Sequence, residues 1–551
     1  MQYQRHWRRW GLLAAAVALA VGLLNCSGNP NGSGERTAST PPNTLVYGSG
    51  GEPVSLESGN ITDGNSIIVQ NQIYNRLIEF EPGTTELRPG LATDWQAAAG
   101  GREWTLTLRQ GVRFHDGTPL NAEAVQFNLE RWWDPEHPHG YRDAGKGYEP
   151  WAYLFGGFKG DPDSLVRDIT VTGSHTLRIA LSQPFAAFPD ALASGYFGIA
   201  SPSAIRQAGA DYSTPTAPAV GTGPFQLDAW RSGDRVELSA HPDYWRDGLP
   251  RTEQLVIRFV SDPAARLAEL RAGALDLTVD FAPDQRSALE RSERLDPVLR
   301  PAFNVGYLAL NPSHEPLAQP QVRRVIAAAL DREAIVEAFW QGLGTADAHF
   351  TPPALDWAQS PQVSGYGSDT QRARQALARA GYPDGFELNL WYMPVSRPYY
   401  PTPKPIAEAF AAELSDIGIE VNLQTKDWAA YLSDRNQDPG FQAFMLGWSG
   451  DYGDPDNFYY PHFGPTGTDD LGDWQNERVV ELLERARRVQ AREERAQLYA
   501  QVNEILFEEA VRIPVVHAQP LLGKRANITG WDPSPVGAES LERVRKTAGT
   551  S

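Results

Sequence analysis

Two charged residues of opposite sign, Arg397 and Asp451, are the strongest candidates for ligand chemistry in this sequence. Arg397 lies in the proline-rich segment WYMPVSRPYYPTP, and a guanidinium can hold a planar carboxylate through two parallel hydrogen bonds. Asp451 lies in the segment GWSGDYGDP and offers the opposite charge, which suits an ammonium group. Together the two residues predict a binding site for a zwitterion. The simpler alternatives are a solvent-exposed loop arginine and an acidic turn whose aspartate bonds its own backbone.

The element that must position Asp451 is predicted by residues 441–463, FQAFMLGWSGDYGDPDNFYYPHF. One face carries Phe441, Ala443, Met445 and Gly447 and the other carries Phe444, Leu446 and Trp448, which is typical of a strand buried on both sides. Gly450 then lets the backbone turn sharply. Asp451 therefore follows the end of a buried strand, where the loops of an open sheet often carry ligand contacts.

Aromatic and glycine residues in similar segments are secondary candidates for ligand contacts. Trp448 and Tyr452 flank the turn at Asp451, and we expect them to line pockets for ligand side chains, with core packing as the alternative. Gly221 and Gly223 lie in the segment AVGTGPF. We expect them to offer backbone groups at the floor of the site, and a tight packing turn is the alternative.

An enzyme is the main alternative class of protein, and the sequence lacks its common motifs. There is no Gly-x-Ser-x-Gly elbow and no His-Glu-x-x-His, and Cys26 is the only cysteine. Residues 140–147, GYRDAGKG, end in Gly where a phosphate loop needs Ser or Thr for magnesium. A proline between His137 and His139 favours a turn over a metal site, and the acidic residues at 451–457 do not match a calcium-binding EF-hand loop. We therefore predict no catalytic residue, metal or cofactor.

The start of the chain predicts export and a lipid anchor. A positively charged beginning precedes an apolar run at residues 11–24, which is shorter than the stretch of about 20 residues that spans a membrane. The sequence LLNC ending at Cys26 resembles the lipobox of bacterial lipoproteins, although Asn25 stands where Gly, Ala or Ser is usual. We expect a signal peptide at residues 1–25, an acylated Cys26, and a flexible tether at residues 26–43.

Composition narrows the possible partners of the folded part. The chain has 551 residues, 41% of them hydrophobic, which is enough to bury a large core. Its formal net charge of −19 argues against nucleic acid and against an electrostatic grip on anionic lipid. We therefore expect contact with the membrane only through the lipid anchor, and a core that is stable without an internal disulfide.

Strand and helix patterns alternate along the chain, which predicts an α/β fold with at least two cores. A hairpin is expected between residues 91–95 and 103–117, with glycines 100 and 101 as its turn. Asn121 is expected to cap the helix that follows. The other predicted strands are 45–50, 253–259 and 386–392, and the predicted helices are 67–80, 118–131, 263–272, 369–380, 404–417, 477–490 and 493–510.

Residues 104–131, WTLTLRQGVRFHDGTPLNAEAVQFNLER, resemble the signature of the extracellular solute-binding proteins of family 5. These proteins are the ligand-binding subunits of bacterial ABC importers for peptides and nickel chelates. Further landmarks of the family follow in its order along the chain: AVGTGPF at 219–225, YLALN at 307–311, QVRRVIAAALDREAI at 321–335 and RIPVV at 512–516. The resemblance therefore covers nearly the whole chain after the tether.

This resemblance implies a two-lobed, periplasmic-binding-protein-like α/β fold (type II, cluster C) with an extra subdomain in lobe 1. It also implies hinge crossings near residues 301–306 and 514–517. The expected boundaries are 44–302 for lobe 1 with the inserted subdomain at about 87–215, 303–516 for lobe 2, and 517–551 for the return to lobe 1 and the tail.

Both charged segments resemble those of the dipeptide-binding members, in which the arginine takes the peptide carboxylate and the aspartate takes its amine. Arg397 matches the arginine of Met-Pro-Val-x-Arg-Pro-Tyr, and Asp451 matches the aspartate of Gly-Trp-x-Gly-Asp. The resemblance implies an extracytoplasmic monomer, on the periplasmic or cell-surface side, that captures dipeptides or short peptides for an ABC permease and ATPase. Nickel chelates, haem, aminolevulinate and glutathione are the alternative ligands, and a surface hydrolase or scaffold protein is the alternative class.

Overall fold

A seven-stranded sheet is the first layer of the computed structural model, which describes residues 43–438, 440–472 and 474–547. Its strands lie in the order Leu295–Leu299, Leu521–Arg525, Leu277–Phe281, Thr44–Ser49, Gln254–Phe259, Arg235–Ala240 and Phe225–Arg231. Thr44–Ser49 is parallel to both neighbours, and all of its residues are buried. A strand buried on both faces needs cover on both sides of the sheet. We call the part of the chain built around this sheet lobe 1.

A six-stranded sheet forms the second layer, which we call lobe 2. Its strands lie in the order Gly344–Thr345, Arg512–Ala518, Asn304–Leu310, Ala443–Ser449, Phe386–Trp391 and Ile419–Gln424. Ala443–Ser449 is antiparallel to Asn304–Leu310 and parallel to Phe386–Trp391, so it lies in the interior of the sheet. Its first four residues are buried, which confirms the predicted strand with two apolar faces.

An antiparallel four-stranded sheet forms the subdomain, in the order Ala92–Ala98, Glu103–Leu108, Thr176–Leu181 and Val166–Gly173. The predicted hairpin is present, and Gly100 and Gly101 turn with positive φ angles of 67° and 89°. Its second strand ends at Leu108 and does not continue to residue 117. Two small sheets pair Ile78–Phe80 with Leu87–Pro89 and Ile528–Thr529 with Arg545–Lys546.

Helices cover these sheets, and many begin behind a polar side chain that caps them. Asp63, Asn121, Asp262 and Asp369 each accept a hydrogen bond from a backbone N–H in the first turn. The cap predicted at Asn121 is therefore confirmed. The α-helices are Gly64–Ile73, Ala122–Trp133, Glu149–Phe155, Phe188–Leu192, Pro202–Ala208, Pro263–Ala272, Arg286–Glu290, Pro320–Ala329, Arg332–Trp340, Thr370–Arg379, Pro403–Ser415, Trp428–Asp434, Asp456–Phe463, Glu477–Arg488 and Arg492–Glu509. The 3₁₀ helices are Arg142–Ala144, Gly209–Asp211, Pro283–Gln285, Pro353–Ala358 and Asp469–Leu471.

One predicted helix, at residues 67–80, is wrong in its second half. The helix ends at Ile73, and Tyr74 is extended at φ −112° and ψ 148°. The backbone N–H groups of Leu91 and Ala92 donate to the carbonyls of residues 76 and 77 at 2.9 Å each. These hydrogen bonds, and the pairing of Ile78–Phe80 with Leu87–Pro89, override the helical spacing of this segment.

Two neighbouring crossings join lobe 1 to lobe 2. The first runs from Leu299 to Asn304, and the second runs from Ala518 to Leu521. The backbone N–H of Arg300 donates to the carbonyl of Pro520 at 3.0 Å, so the crossings lie side by side. The second crossing comes after the residues 514–517 expected from the resemblance, because the strand of lobe 2 runs on to Ala518.

The buried apolar side chains of the described residues gather in three clusters, and the first of them also contains side chains of lobe 1 such as Phe281 and Leu295. The first includes the strands of lobe 2, the second belongs to the subdomain and the third to lobe 1. The described residues nevertheless form one compact unit. The exact lobe boundaries given above stay predictions. The predicted signal peptide, Cys26 and the tether up to residue 42 lie outside the described residues.

Candidate functional site

The loops that carry Arg397 and Asp451 leave the sheet of lobe 2 at the same edge. Phe386–Trp391 and Ala443–Ser449 are neighbouring parallel strands. Parallel neighbours end at the same edge of a sheet, and ligands of open α/β sheets bind beyond that edge. Arg397 follows the first strand and Asp451 follows the second. The structure therefore brings these two loops to one edge.

Tyr399 seats the loop of Arg397 on the sheet. It packs on Gly306 and Gly447, two glycines that lie opposite each other on neighbouring strands. A Cβ atom at Gly447 would lie 2.3 Å from Tyr399 Cδ2, and one at Gly306 would lie 2.7 Å from the Tyr399 carbonyl oxygen. The backbones of Arg397 and Tyr400 also exchange hydrogen bonds of 3.0 and 2.9 Å. Close contact with the two glycines thus fixes the position of this loop.

Two neutral donors fix the carboxylate of Asp451. The hydroxyl of Tyr196 donates to Oδ1 at 2.6 Å, and Nδ2 of Asn457 donates to Oδ2 at 3.2 Å. The backbone N–H of Asp451 in turn donates to Oδ1 of Asn457 at 2.7 Å. Asn457 therefore ties the turn together, while Tyr196 reaches the carboxylate from outside lobe 2.

The charge of Asp451 has no counterion among the described residues. Burial raises the pKa of Asp451 above its ordinary value, and the hydrogen bonds from Tyr196 and Asn457 oppose this rise. No arginine, lysine or histidine in the described part of the chain forms an ion pair with it. A desolvated carboxylate that lacks a cation is costly, so the site favours a ligand that brings a positive charge.

Aromatic side chains from outside lobe 2 face Asp451. Tyr153, on the helix Glu149–Phe155, is 48% exposed, and its ring lies 6.2 Å from that of Trp448. Burial, and then the charge of Asp451, raise the pKa of Tyr196, so its hydroxyl remains a donor. Sequence reasoning missed these two tyrosines because aromatic type was their only signal.

Trp448 and Tyr452, the two predicted aromatic candidates, have different surroundings. Trp448 is partly buried, and its Nε1 donates to Oδ1 of Asn457 at 3.4 Å, so it belongs to the wall beside Asp451. Tyr452 is 3% exposed, packs in the apolar cluster of the subdomain, and donates to Oδ2 of Asp456 at 3.1 Å. The surroundings of Tyr452 are those of a core residue, which was the alternative to a ligand contact.

Gly221 and Gly223 lie against the end of the helix Gly64–Ile73. A Cβ atom at Gly221 would lie 2.2 Å from the carbonyl oxygen of Ile73, and one at Gly223 would lie 2.5 Å from its carbonyl carbon. The carbonyl oxygens of both glycines also contact His115, at 2.8 Å from its backbone nitrogen and 3.0 Å from its Nε2. Their surroundings correspond to a packing turn, and a contact with ligand stays a prediction.

Arg397 is exposed and has no acidic partner among the described residues. Its Nη1 donates to the carbonyl of Ser396 at 3.0 Å, and its Cζ lies 5.5 Å from the ring centre of Trp428. Burial raises the pKa of Tyr399 to about 12 against the opposing charge of Arg397. The guanidinium therefore keeps donors available for a carboxylate.

Arg397 also lines a cavity of about 520 Å³ between the lobes. Lobe 1 contributes Asn65 and Asp280, and lobe 2 contributes Trp340. Gln519, on the second crossing, closes the cavity on the hinge side. A cleft bounded by two lobes and their hinge is a common place for a small ligand.

Asp454 and Asp456, the other acids of the turn, have structural partners. Asp454 accepts two hydrogen bonds from Arg495, at 2.6 and 2.7 Å, and both side chains are buried. Asp456 lies 3.1 Å from Nε of Arg487. These pairs tie the loop of Asp451 to the helices Glu477–Arg488 and Arg492–Glu509.

The described residues lack two other features that would indicate a function. They contain no group of three or more His, Cys, Asp or Glu side chains arranged to hold a metal ion. Within residues 43–438, 440–472 and 474–547, no helix has the length and apolar character needed to cross a membrane.

Known proteins resemble this chain along almost all of its length. Residues 86–470 match the family model described as bacterial extracellular solute-binding proteins, family 5 Middle. Heme-binding protein A of Haemophilus influenzae is 33% identical over 97% of this chain and 98% of its own. A dipeptide-binding protein of Escherichia coli is 31% identical over 92% of this chain and 95% of its own.

A solved structure gives the same result for the fold. The dipeptide-binding protein of a Pseudoalteromonas species, in complex with Met-Leu, superposes with a TM-score of 0.77 at 29% identity and covers 92% of this chain and 100% of its own. The two-lobed, type II periplasmic-binding-protein fold is thereby confirmed. The chain belongs to the bacterial extracellular solute-binding proteins of family 5, which are the extracytoplasmic substrate-binding components of ABC importers.

Proposed function

We propose that this protein captures dipeptides, or short peptides, by their two terminal charges and delivers them to the permease of an ABC importer. Asp451 receives the peptide amine and Arg397 receives its carboxylate. The observation that carries the proposal is the carboxylate of Asp451, which two neutral donors orient and no cation neutralises among the described residues. A peptide ammonium group supplies the missing charge.

The spacing of the two receivers selects the length of the ligand. Each added residue lengthens an extended peptide by about 3.5 Å, so a third residue moves one terminus away from its receiver. Dipeptides therefore fit the proposal better than longer peptides.

Closure of the lobes couples capture to recognition by the transporter. Tyr196 and Tyr153 approach Asp451 from outside lobe 2, so they complete the site only when the lobes are together. Closure removes water from the charged pairs and strengthens them. The closed form is then the state that the permease and ATPase recognise.

The names of the relatives support a peptide and leave haem as the second candidate. One relative is called a dipeptide-binding protein and another a heme-binding protein. Haem carries carboxylates but no ammonium group, so it pairs with Arg397 and leaves Asp451 without a counterion. The carboxylate of Asp451 therefore favours the peptide.

A lipid anchor is proposed to hold the protein at the membrane that contains its permease. Cys26, acylated after removal of residues 1–25, anchors the protein to the membrane, and the tether lets a monomeric binding domain stand away from the bilayer. Metabolic labelling with a fatty-acid analogue tests the anchor. We expect label in the protein and none in Cys26→Ser.

Thermal melting of the purified protein tests the ligand class. Dipeptides, tripeptides, free amino acids, haem and nickel-histidine are compared as ligands. A ligand at 100 times its dissociation constant adds about 2.7 kcal/mol to the free energy of unfolding. We expect the shift with dipeptides, and a shift with haem alone would contradict the proposal.

Arg397→Ala is expected to weaken dipeptide binding by about 10- to 100-fold, because hydrogen bonds to a charged group contribute about 1.5–3 kcal/mol. Calorimetry measures this with a dipeptide and with its C-terminal amide. The amide should bind the variant and the unchanged protein alike, since it lacks the carboxylate. Arg379→Ala, an exposed arginine on the helix Thr370–Arg379, is the matched control. An equal loss with the amide would disprove the pairing.

Tyr196→Phe is expected to weaken dipeptide binding by about tenfold, because Asp451 loses one of its two orienting donors. The ring and its packing stay. The hydrogen bond from Tyr196 opposes the pKa rise of Asp451, so its loss should raise this pKa further. The fall in affinity on acidification, which we call the acid limb, should then begin at a higher pH. Calorimetry across pH checks both effects. An unchanged acid limb would show that Tyr196 does not position the carboxylate.

A further inference from the structure

The cavity beside Arg397 has room for more than the terminal carboxylate of a peptide. Its volume of about 520 Å³ lies within the range of about 300–1,000 Å³ that pockets for small ligands have. Cζ of Arg397 lies 5.5 Å from the ring centre of Trp428, which does not line the cavity, so that ring covers another side of the guanidinium. A peptide residue whose carboxylate pairs with Arg397 therefore has the cavity within reach of its side chain.

Apolar side chains line this cavity from both lobes and from the second crossing. Phe281 and Pro283 come from lobe 1, Trp340 comes from lobe 2 and Pro520 lies on the crossing. Phe281 and Trp340 are buried, and Nε1 of Trp340 donates to the carbonyl of Pro398 at 2.9 Å, which holds the indole in place. Walls of this kind favour an apolar group, because its transfer from water is favourable.

The charges of the cavity wall offset each other. Apart from Arg397, the charged residues that line it are Arg266 and Asp280. A Cβ atom at Gly50 would lie 3.7 Å from both Nη1 of Arg266 and Oδ2 of Asp280, so the two charges are close together. Burial lowers the pKa of Arg266, and the charge of Asp280 opposes this change. Once Arg397 holds the peptide carboxylate, the wall offers no net charge to a side chain.

The donors of Arg266 are also engaged within lobe 1. This residue is 2% exposed, and its Nε, Nη1 and Nη2 donate to the carbonyls of Val279, Val260 and Asp280 at 3.2, 2.7 and 3.0 Å. An ammonium group placed at Asp280 would approach the charge of Arg266 as well. The other polar residues of the wall are neutral: Asn65, Ser261, Ser396 and Gln519.

We infer that this cavity is a subsite for the side chain of the peptide's last residue, and that it selects a large uncharged side chain such as that of phenylalanine. The inference rests on the function proposed above, because Arg397 must hold the peptide carboxylate. It adds the class of substrate, which is dipeptides that end in a large apolar residue.

Calorimetry with Ala-Ala, Ala-Phe, Ala-Lys and Ala-Glu tests the subsite in the unchanged protein. We expect Ala-Phe to bind about 10- to 100-fold more tightly than Ala-Ala, because burial of a large apolar side chain is favourable. Ala-Lys and Ala-Glu should both bind less tightly than Ala-Phe, since the charges of the wall offset each other. Equal affinity for Ala-Phe and Ala-Ala, or tightest binding of a charged dipeptide, would overturn the subsite and needs no variant.

Ala282→Trp assigns the gain to this cavity. Ala282 lines the cavity and is exposed, so an indole there occupies part of the volume without replacing a buried side chain. The variant should lose the preference for Ala-Phe over Ala-Ala. Ala378→Trp, at an exposed alanine on the helix Thr370–Arg379 that does not line the cavity, should keep it. An undiminished preference in Ala282→Trp would show that the ring binds elsewhere.

The same titrations separate a failure of the subsite from a failure of two-ended capture. If Ala-Ala binds and Ala-Phe binds no more tightly, the subsite is wrong and the function proposed above stands. If none of the dipeptides binds, both are wrong.

Discussion

Asp451→Asn is expected to reduce dipeptide affinity by about 30- to several-thousand-fold, with little change in the fold. The substitution keeps the shape of the side chain but removes the charge that the peptide amine needs. Truncating one member of a desolvated charge pair costs about 2–5 kcal/mol, which gives this range of affinity. Calorimetry measures the loss. The expectation is larger than for Arg397→Ala because Asp451 is partly buried and Arg397 is exposed.

This prediction has two controls, a ligand without its ammonium group and a substitution on the protein surface. An N-acetyl dipeptide lacks the ammonium group, so it should bind the variant and the unchanged protein equally weakly. Asp384→Asn, an exposed aspartate, should leave affinity unchanged. Dipeptide affinity should also fall on acidification at a higher pH than an ordinary aspartate predicts, because burial raises the pKa of Asp451 and the protonated form cannot pair with an amine. Full affinity in Asp451→Asn would remove this residue from the site.

Arg495→Leu is expected to destabilise the folded protein by about 3–5 kcal/mol, because it leaves the buried carboxylate of Asp454 without its partner. Arg495 donates two hydrogen bonds to Asp454, and both side chains are at most 7% exposed. The loop of Asp451 is attached through this pair, so dipeptide affinity should fall as well. Urea denaturation measures the free energy of unfolding.

Arg488→Leu is the matched control for this stability prediction. It removes an exposed arginine whose partner, Glu484, is one turn earlier on the same helix. Exposed pairs of this kind contribute about 0.3–0.5 kcal/mol. If Arg495→Leu destabilised the protein no more than this control, the buried pair would not anchor the turn.

Sequence patterns predicted the elements whose burial is local. The strand Ala443–Ser449 is apolar on both faces because it lies between two strands of lobe 2. Asn121 caps the helix Ala122–Trp133, and the glycines after Ala98 turn the hairpin. In each case the residue type that fixes the structure lies within the element or beside it.

Features that depend on distant contacts escaped the sequence analysis. Tyr196 and Asp451 are 255 residues apart, and no sequence pattern around either residue indicates that the two are in contact. The predicted helix at residues 67–80 ends at Ile73 because hydrogen bonds from Leu91 and Ala92 take the chain into a strand. Packing across lobes likewise decides that Tyr452 is in a core while Trp448 faces the candidate site.

The most direct test of two-ended capture is the affinity of the unchanged protein for one dipeptide in three forms. Ala-Ala with free termini, its N-acetyl derivative and its C-terminal amide differ only in the charges offered to Asp451 and Arg397. We expect tight binding of the free dipeptide and at least about tenfold weaker binding of each blocked form. Equal affinity for all three forms, or no binding of the free dipeptide, would contradict two-ended capture.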